Sequence, residues 1–311
     1  MNDLVVRNCL DFNENKIDIL IKNGQIEDIS DKIHISNIPE IDAGEHFVTS
    51  PFVDSHFHMD ATLSYGLPRI NQSGTLLEGI NLWGELKKDL TPDAIKDRAR
   101  KLCKWSIARG TLGIRTHVDI SGDNLMAVEA LLDIKNEMKE FLDIQLVAFP
   151  QDGLYRANCI DNLQNSLELG VDVVGGIPHF ERTMADGAAS ITTLCEIAEK
   201  KGLLVDMHCD ESDDPLSRHV ENLAKETTRL GLEGRVAGSH LTSMHSMDNY
   251  YFSKLIALLV EADLHVIPNP LINITIQGRH DTYPKRRGLT RVPEQIEAGL
   301  NVAFGHDCVM D

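Results

Sequence analysis

Two histidines stand one residue apart in the stretch PFVDSHFHMD (51–60), as His56 and His58. Because a β-strand displays alternate residues on one face, both imidazoles of such a pair at a strand end can point at one object. Imidazole is the commonest metal ligand among the side chains, so this spacing indicates a metal site. A lone histidine near a strand end is more often a hydrogen-bonded structural residue. The other ligands must therefore come from elsewhere in the chain.

The elements that position this pair follow a regular rhythm. From residue 47, apolar runs rich in β-branched residues recur about every 30 residues, with amphipathic helical stretches between them. Eight strands that alternate with helices predict an α/β fold, a (β/α)8 TIM-like barrel. An open doubly wound sheet is the alternative, but the chain has no GxGxxG or GxxxxGK[ST] motif. The strands are expected at 47–54, 112–118, 143–149, 171–177, 203–208, 235–240, 264–269 and 300–305.

Residues 1–46 have a different pattern, with short apolar stretches broken by NEN and NG. The NG dipeptide between apolar stretches is a strong hairpin signal, so this region is expected to form a small β-element. The chain is thus expected to have two parts, the β-element at 1–46 and the barrel at 47–311.

The composition narrows the class of partner. The 48 acidic and 30 basic residues give a net charge of −18, which disfavours binding to nucleic acid or to an anionic membrane surface. No stretch reaches the roughly 18 apolar residues of a membrane span, and the N-terminus lacks the pattern of a secretory signal. Six scattered cysteines without a CxxC pair favour reduced thiols, so we expect a cytoplasmic protein.

In such barrels, chemistry takes place at the carboxyl ends of the strands. Three neutral imidazoles and one carboxylate at these ends suit one divalent metal ion, Fe²⁺ or Zn²⁺, with a position open for water. The ligands predicted in this way are His56, His58, His208 and Asp307. Seven of the 13 histidines fall at predicted strand ends. Three of them are ligands, and a fourth, His240, is a catalytic candidate. The other three are assigned to supporting or structural roles: His117, His179 and His306.

This constellation resembles the amidohydrolase superfamily and, within it, the bacterial cytosine deaminases. The resemblance extends over nearly the whole chain and implies a homo-oligomer that acts on a small nucleobase. It is carried by NQSGTLLEGI (71–80), RTHVD (115–119), VAFPQDG (147–153), DVVGGIPHFE (172–181), DMHCDE (206–211), SHLTSMHS (239–246), QGRHDTYPKRRG (277–288) and FGHDCVMD (304–311).

The number of metal ions can be predicted independently of the resemblance. Many amidohydrolases bridge two metals with a carboxylated lysine at the end of strand four. No lysine occurs here between Lys139 and Lys200, so we expect a single metal, which suits a deaminase better than a ring-opening hydrolase. The other fold of nucleobase deaminases needs a P-C-x-x-C zinc motif, which this chain lacks.

The residue types then predict a reaction, the hydrolysis of cytosine to uracil and ammonia by a metal-bound hydroxide. Asp307 would accept the proton of the water, Glu211 would protonate ring N3 and then the leaving amine, and His240 would stabilise the hydroxide. Gln151 offers a donor and an acceptor to the ring edge. The resemblance adds the backbone near Leu76 as a substrate contact. The alternative for Glu211 is a surface carboxylate, and for Gln151 an ordinary loop residue.

Two departures from the resembling enzymes leave alternatives open. They carry a second aspartate after the metal aspartate, where this chain has Cys308, so isoguanine, 5-substituted cytosines or creatinine are alternative substrates. The family also builds a composite β-sandwich from both ends of the chain, and this chain stops at Asp311, about where strand eight finishes. We therefore expect a chain truncated after strand eight, without its last helix and sandwich strands, and an inactive fragment is a further alternative.

Overall fold

The computed structural model describes residues 3–308. It divides the chain into two compact units, residues 1–51 and residues 52–311. The first unit is a four-stranded sheet in the order β3-β2-β1-β4, antiparallel except that β4 runs parallel to β1. The predicted hairpin joins β2 to β3, and Asn23 and Gly24 both have the positive φ that an NG turn requires. Its strands are β1 Leu4–Leu10, β2 Lys16–Lys22, β3 Gln25–Ser30 and β4 Glu40–Asp42.

The second unit is a parallel α/β barrel, as the sequence predicts. Each strand pairs with the next in chain order from β5 to β11, because each is followed by at least one helix that returns the chain to the same end of the sheet. The strands are β5 Phe52–Phe57, β6 Thr111–Asp119, β7 Asp143–Phe149, β8 Val173–Gly176, β9 Leu204–Cys209, β10 Val236–His240 and β11 His265–Ile267. The helices are α1 Leu76–Leu86, α2 Pro92–Ile107, α3 Met126–Met138, α4 Cys159–Leu169, α5 Met184–Lys201, α6 His219–Leu230, α7 Asn249–Glu261, α8 Pro270–Ile276 and α9 Val292–Glu297.

The outer helices pack on the strands through one apolar stripe each. Helix α2 begins with Thr91, whose side chain accepts a hydrogen bond from the backbone of Ala94, and with Pro92 in the first turn. Its buried residues recur at three- and four-residue steps, namely Ile95, Ala99, Leu102 and Cys103. The strands are buried along most of their length, as expected for a parallel sheet covered by helices.

The predicted eighth strand is present as an extended segment with isolated bridges. The carbonyl of Asn301 accepts a hydrogen bond from Val266 of β11, and the carbonyl of Asp307 accepts one from His58, just after β5. Bridges between Val266 and Val302 and between Phe57 and Asp307 are parallel. The segment 301–307, called here the closing segment, thus pairs with both edges of the seven-stranded sheet and completes the ring.

Several predicted strands differ from those observed by one to three residues in total, and the first and seventh have an identifiable cause. The first differs most. The first was expected at 47–54 but lies at 52–57, because Phe47 and Val48 pair with Leu10 in the first unit. His56 is therefore inside the strand instead of after it. The seventh was expected at 264–269 but ends at Ile267, since Pro268 has no N–H to continue the ladder. Within residues 3–308, none of the helices combines the length and apolar character needed to cross a bilayer.

Candidate active site

The two histidines of the opening motif come from one strand, and Asp307 lies directly beside them. The Asp307 N–H donates to the carbonyl of His56 at 2.9 Å, and the His58 N–H donates to the carbonyl of Asp307 at 2.7 Å. Parallel pairing of β5 with the closing segment therefore holds the carboxylate between the two imidazoles. His208 reaches the same point from β9, across the barrel interior.

The side chains of the four predicted ligands converge. Asp307 Oδ1 lies 3.1 Å from His56 Nε2 and 3.2 Å from His58 Nε2, and His58 Nε2 lies 2.9 Å from His208 Nε2. Ligand atoms that surround a zinc ion at about 2.1 Å lie roughly 3.0–3.4 Å apart, depending on the coordination number. The spacing of these atoms thus matches a set of ligands that share one metal ion. The four side chains of His56, His58, His208 and Asp307 are called here the metal cluster.

Hydrogen bonding around His56 supports a cation at this point. The Ser239 hydroxyl donates its only proton to Asp206 Oδ1 at 2.7 Å, so it can only accept at its 3.0 Å contact with His56 Nδ1. The proton of a neutral His56 is then on Nδ1, which leaves a lone pair on Nε2 facing the carboxylate oxygen of Asp307. Two acceptors at 3.1 Å repel one another unless a cation lies between them.

The pKa shifts of His208 and Asp307 suit metal binding, whereas at His58 burial alone would lower the pKa but contact with Asp307 raises it. Burial, with the neighbouring imidazoles, holds the pKa of His208 well below its ordinary value, and burial does the same for the pKa of His240. Burial alone would raise the pKa of Asp307, but its contacts with the imidazoles of His56 and His58 lower that pKa well below the ordinary value. Neutral imidazoles and an ionised carboxylate are the forms that bind a metal.

Two further histidines border the cluster. Two groups of four side chains have ligand atoms that all lie within 4.8 Å of one another, close enough to hold a metal ion. Both groups contain His56 and His208. One adds His58 and His117, and the other adds His240 and Asp307. His58, His208 and Asp307 also line the adjoining cavity, whereas His117 does not. The open side of the cluster therefore faces this cavity, and His117 lies behind it, where burial lowers its pKa to about 3.

The cavity is also lined by three more of the predicted site residues, whereas His240 is not part of its lining. Helix α1 supplies Leu76 at its first position, the loop after β7 supplies Gln151, and the turn after β9 supplies Glu211. Cys308 lies on the same wall as the metal aspartate. The structure thus brings every sequence-predicted substrate contact to one cavity beside the metal cluster, which is called here the reaction pocket.

His240 is adjacent to Glu211 and is held by two asparagines that the sequence analysis missed. His240 Nδ1 lies 3.1 Å from Glu211 Oε1, and Asn273 Nδ2 donates to the same carboxylate oxygen at 3.0 Å. Asn269 Nδ2 lies 3.2 Å from His240 Nε2. Asn269 directly precedes α8 and Asn273 lies one turn further on inside it, in the stretch NPLIN that begins two residues after the end of β11. A polar pair following a barrel strand was the available signal.

Backbone conformation turns two site residues into place. His240 has a φ of 69° and Asp307 a φ of 75°, in the left-handed region that side chains other than glycine rarely adopt. Such conformations cost about 1–3 kcal/mol and concentrate at functional sites. At both positions the turn occurs where a strand reaches the pocket.

The wall opposite the cluster is helix α1, which is fixed at its far end. Trp83 Nε1 donates to Asp119 Oδ2 at 2.7 Å, and Lys87 Nζ lies 3.0 Å from both Asp119 and Asp152. These contacts fasten the helix to the carboxyl end of β6 and to the loop after β7. Helix α1 is thereby held where Leu76, at its other end, lines the pocket.

The two other histidines assigned to structural roles belong neither to the lining of the reaction pocket nor to the two groups of donor atoms. The His306 ring lies 2.8 Å from Asp54 and its side chain is 60% exposed. Its pKa is raised by this hydrogen bond. His179 is in the short turn after β8, and burial lowers its pKa to about 4.

The barrel and the converging histidines and aspartate are typical of metal-dependent hydrolases, and comparison with known proteins gives the same class. The model of the amidohydrolase family matches residues 39–311, and the chain belongs to this family. The predicted superfamily is therefore confirmed, as is a hydrolase that acts on C–N bonds.

Individual relatives are deaminases and hydrolases. A structure of 5-methylcytosine deaminase from Klebsiella pneumoniae, liganded with 5-fluorocytosine, is 40% identical with a TM-score of 0.94, over 98% of this chain and 75% of that one. N-isopropylammelide isopropyl amidohydrolase of Pseudomonas sp. (strain ADP) is 29% identical over 99% of this chain and 75% of its own length. Pterin deaminase of Rhizobium rhizogenes is 25% identical over 95% and 68%.

Proposed function

We propose that this protein is a metal-dependent deaminase of cytosine-type rings that converts cytosine or a 5-substituted cytosine, with water, into the corresponding uracil and ammonia. The observation that carries the proposal is the reaction pocket, where Gln151 and Glu211 lie beside His58, His208 and Asp307. The similarity to 5-methylcytosine deaminase supports the same ring. The amino-heterocycles isoguanine and creatinine are the competing substrates.

The proposed ligands of one Fe²⁺ or Zn²⁺ ion are His56, His58, His208 and Asp307. A divalent ion held there supplies a strong nucleophile at neutral pH, because it lowers the pKa of water from 15.7 to about 7. The carboxylate of Asp307 is positioned to take up the proton that the water loses. The ionised state favoured for Asp307 leaves it able to accept that proton.

Glu211 is the proposed proton carrier on the substrate side. Its Oε1 accepts a hydrogen bond from Asn273 at 3.0 Å and lies 3.1 Å from His240 Nδ1, and these contacts hold the carboxylate at the wall of the reaction pocket. Protonated Glu211 would give its proton to ring N3 as the C4–O bond forms. The resulting carboxylate would take up the proton of the C4 hydroxyl group and pass it to the amino group as the C4–N bond breaks, and the water proton held by Asp307 would then restore Glu211. His240, buried and neutral, would hydrogen-bond the attacking oxygen.

The orientation of the ring would come from Gln151 and from the backbone at Leu76. The Gln151 amide has both a donor and an acceptor, which match a ring carbonyl and its adjacent nitrogen. Cys308 presents a small, weakly polar side chain to the pocket. A thiol leaves more room and less charge for a ring methyl than a carboxylate would.

The first test is ammonia release from cytosine, 5-methylcytosine, isoguanine and creatinine by protein loaded with Zn²⁺ or Fe²⁺. We expect release from cytosine or 5-methylcytosine that is lost in the matched Glu211→Gln variant, which keeps the shape and removes the acid. Release from isoguanine or creatinine alone would refute the cytosine ring. Release that persists in Glu211→Gln would refute the assigned proton carrier.

The role of Cys308 is tested by Cys308→Asp, with Cys308→Ser as a control of similar size. One methyl group in a pocket is worth about 1–3 kcal/mol, or roughly 10–200-fold in kcat/KM. We expect Cys308→Asp to lower the kcat/KM ratio of 5-methylcytosine to cytosine by a factor in this range, and Cys308→Ser to change it less. An unchanged ratio in Cys308→Asp would exclude this residue from ring selection.

A further inference from the structure

A chain of hydrogen bonds extends from the metal cluster into the barrel interior. His56 Nδ1 donates to Ser239 Oγ at 3.0 Å, and the Ser239 hydroxyl donates to Asp206 Oδ1 at 2.7 Å. His56, Ser239 and Asp206 are all buried, with no exposed surface. Burial of a carboxylate costs free energy that must be offset by charged or hydrogen-bonding partners. A buried carboxylate at this point therefore indicates a role in holding its neighbours in place.

The strands determine how the three residues meet. Asp206 and His208 are two apart on β9 and point to the same side, while Ser239 of the neighbouring β10 is paired with His208 in the register. The Ser239 hydroxyl thus lies between the Asp206 carboxylate and the His56 imidazole. This hydroxyl is within reach of His56, which enters from the opposite side of the barrel.

Asp206 is itself held from another strand. Arg115 Nη1 of β6 donates to Asp206 Oδ2 at 3.0 Å, and Arg115 Nε donates to Gln145 Oε1 at 3.1 Å. The His117 ring lies 3.6 Å from Asp206 Oδ1. The guanidinium keeps one carboxylate oxygen occupied, so the other oxygen is left as the acceptor for Ser239. The direction of the proton in the Ser239 hydroxyl is thereby fixed.

We propose that Asp206 and Ser239 are positioning residues that fix the tautomer and ring orientation of His56 and so set the metal affinity of the cluster. The proposal rests on the metal-binding part of the proposed function and is independent of the substrate. With its hydroxyl proton committed to Asp206, Ser239 accepts only from an Nδ1–H tautomer. That tautomer directs the Nε2 lone pair at the cluster. Hydrogen-bonding partners of this kind typically change metal affinity 10–100-fold when removed.

The test is the Zn²⁺ dissociation constant, measured by competition with a chelator in the absence of substrate. We expect Ser239→Ala to weaken Zn²⁺ binding about 10–100-fold, because His56 loses the acceptor that holds its ring. Asp206→Asn should have an effect of the same order. The double variant should bind Zn²⁺ no more weakly than the weaker single variant, since both residues act in one chain. Ser239→Thr, which keeps the hydroxyl, should restore most of the affinity.

A matched control separates positioning from general destabilisation. Ser166 is also fully buried, and its hydroxyl donates to Asn162 O of its own helix, far in sequence from the cluster. Ser166→Ala removes a comparable hydrogen bond and should leave the Zn²⁺ dissociation constant unchanged. Ser239→Ala leaves Asp206 paired with Arg115, so its metal-free melting temperature should resemble that of Ser166→Ala. This variant therefore decides the question even if Asp206→Asn fails to fold.

Two results would overturn the proposal. The first is a folded Ser239→Ala protein that binds Zn²⁺ as tightly as the wild type. The second is a wild-type protein that binds no divalent metal, which would also remove the metal from the proposed function. A wild-type protein that binds Zn²⁺ but releases no ammonia from cytosine rings would refute the substrate alone, and the comparison of variants would still decide the role of Ser239.

Discussion

Substitution of Gly305 by alanine tests whether the closing segment must approach β5 as closely as the site requires. Gly305 is buried two residues before Asp307, and a Cβ at this position would lie 2.5 Å from His56 Cβ, 2.5 Å from Asn269 Oδ1 and 2.7 Å from the His56 carbonyl oxygen. These neighbours are the Cβ and the carbonyl oxygen of His56, a proposed metal ligand, and the side chain of Asn269, which contacts His240. The two His56 atoms cannot move without the strand, and the Asn269 side chain is short, with its amide nitrogen 3.2 Å from His240 Nε2.

The size of the effect follows from these distances. Ordinary carbon contacts begin near 3.5 Å, so the closing segment must move away from β5 by about 1 Å. Overpacking of this kind costs about 1–3 kcal/mol, which corresponds to a fall in melting temperature of about 2–6 °C in a chain of this size. Displacement of a catalytic group by about 1 Å costs roughly 10²-fold in rate. We expect Gly305→Ala to weaken Zn²⁺ binding and to lower kcat/KM by about that factor.

The control is Gly84→Ala, inside helix α1, where an added Cβ would have no neighbour within 4 Å. Alanine is favoured over glycine in a helix by about 0.5–1 kcal/mol, so this variant should be at least as stable as the wild type. Melting temperature, Zn²⁺ affinity and ammonia release would be measured for both. A Gly305→Ala protein with wild-type values for all three would refute the claim that close packing of the closing segment positions Asp307.

Two more predictions follow from the site. Removal of the metal with a chelator should lower the melting temperature, and excess Zn²⁺ should restore it, because a ligand at 100 times its Kd stabilises the folded state by about 2.7 kcal/mol. Calorimetry with and without chelator would measure this change. Identical unfolding curves would contradict a contribution of the metal to stability. Asn273→Ala should lower kcat more than it changes KM, because Asn273 holds Glu211 Oε1 at 3.0 Å. Steady-state kinetics would measure both constants, with Asn162→Ala, which removes a distant amide that donates to backbone carbonyls, as the control. A change in KM without a fall in kcat in Asn273→Ala would mean that Asn273 only binds substrate.

The barrel could be predicted because its signals are periodic and repeated. Strands such as Asp143–Phe149 were expected at the bounds that the structure has, since apolar β-branched runs and helix stripes are spaced along the whole chain. The start of β5 was missed because Phe47 and Val48 are as apolar as the strand that follows, and only pairing with Leu10 assigns them to the first unit. The eighth strand was expected as a regular strand, but it is made of isolated bridges, which local sequence does not encode.

The site could be predicted in part for a related reason. Residues at the carboxyl ends of parallel strands meet whatever the exact bounds of the strands, so His208 and Asp307 could be grouped with the opening pair without knowledge of distances. Ser239 and Asp206 could not, because a polar residue inside a strand has the same local pattern whether it supports a ligand or only fills the interior. Asn273 was missed for a similar reason, since its role depends on α8 beginning directly after a three-residue strand.

Closure of the barrel and formation of the metal cluster depend on the same residues. The backbone of Asp307 bonds to both His56 and His58, and its carboxylate lies 3.1 Å and 3.2 Å from their Nε2 atoms. With a neutral imidazole and no cation between them, the carboxylate and the His56 lone pair would repel one another across this junction, so the side chains would oppose the pairing that the backbone makes. A bound metal reverses the sign of that interaction. Metal binding by the proposed ligands would therefore stabilise the ring where its pairing is least regular, and by linkage an ordered closing segment would raise the affinity for the metal.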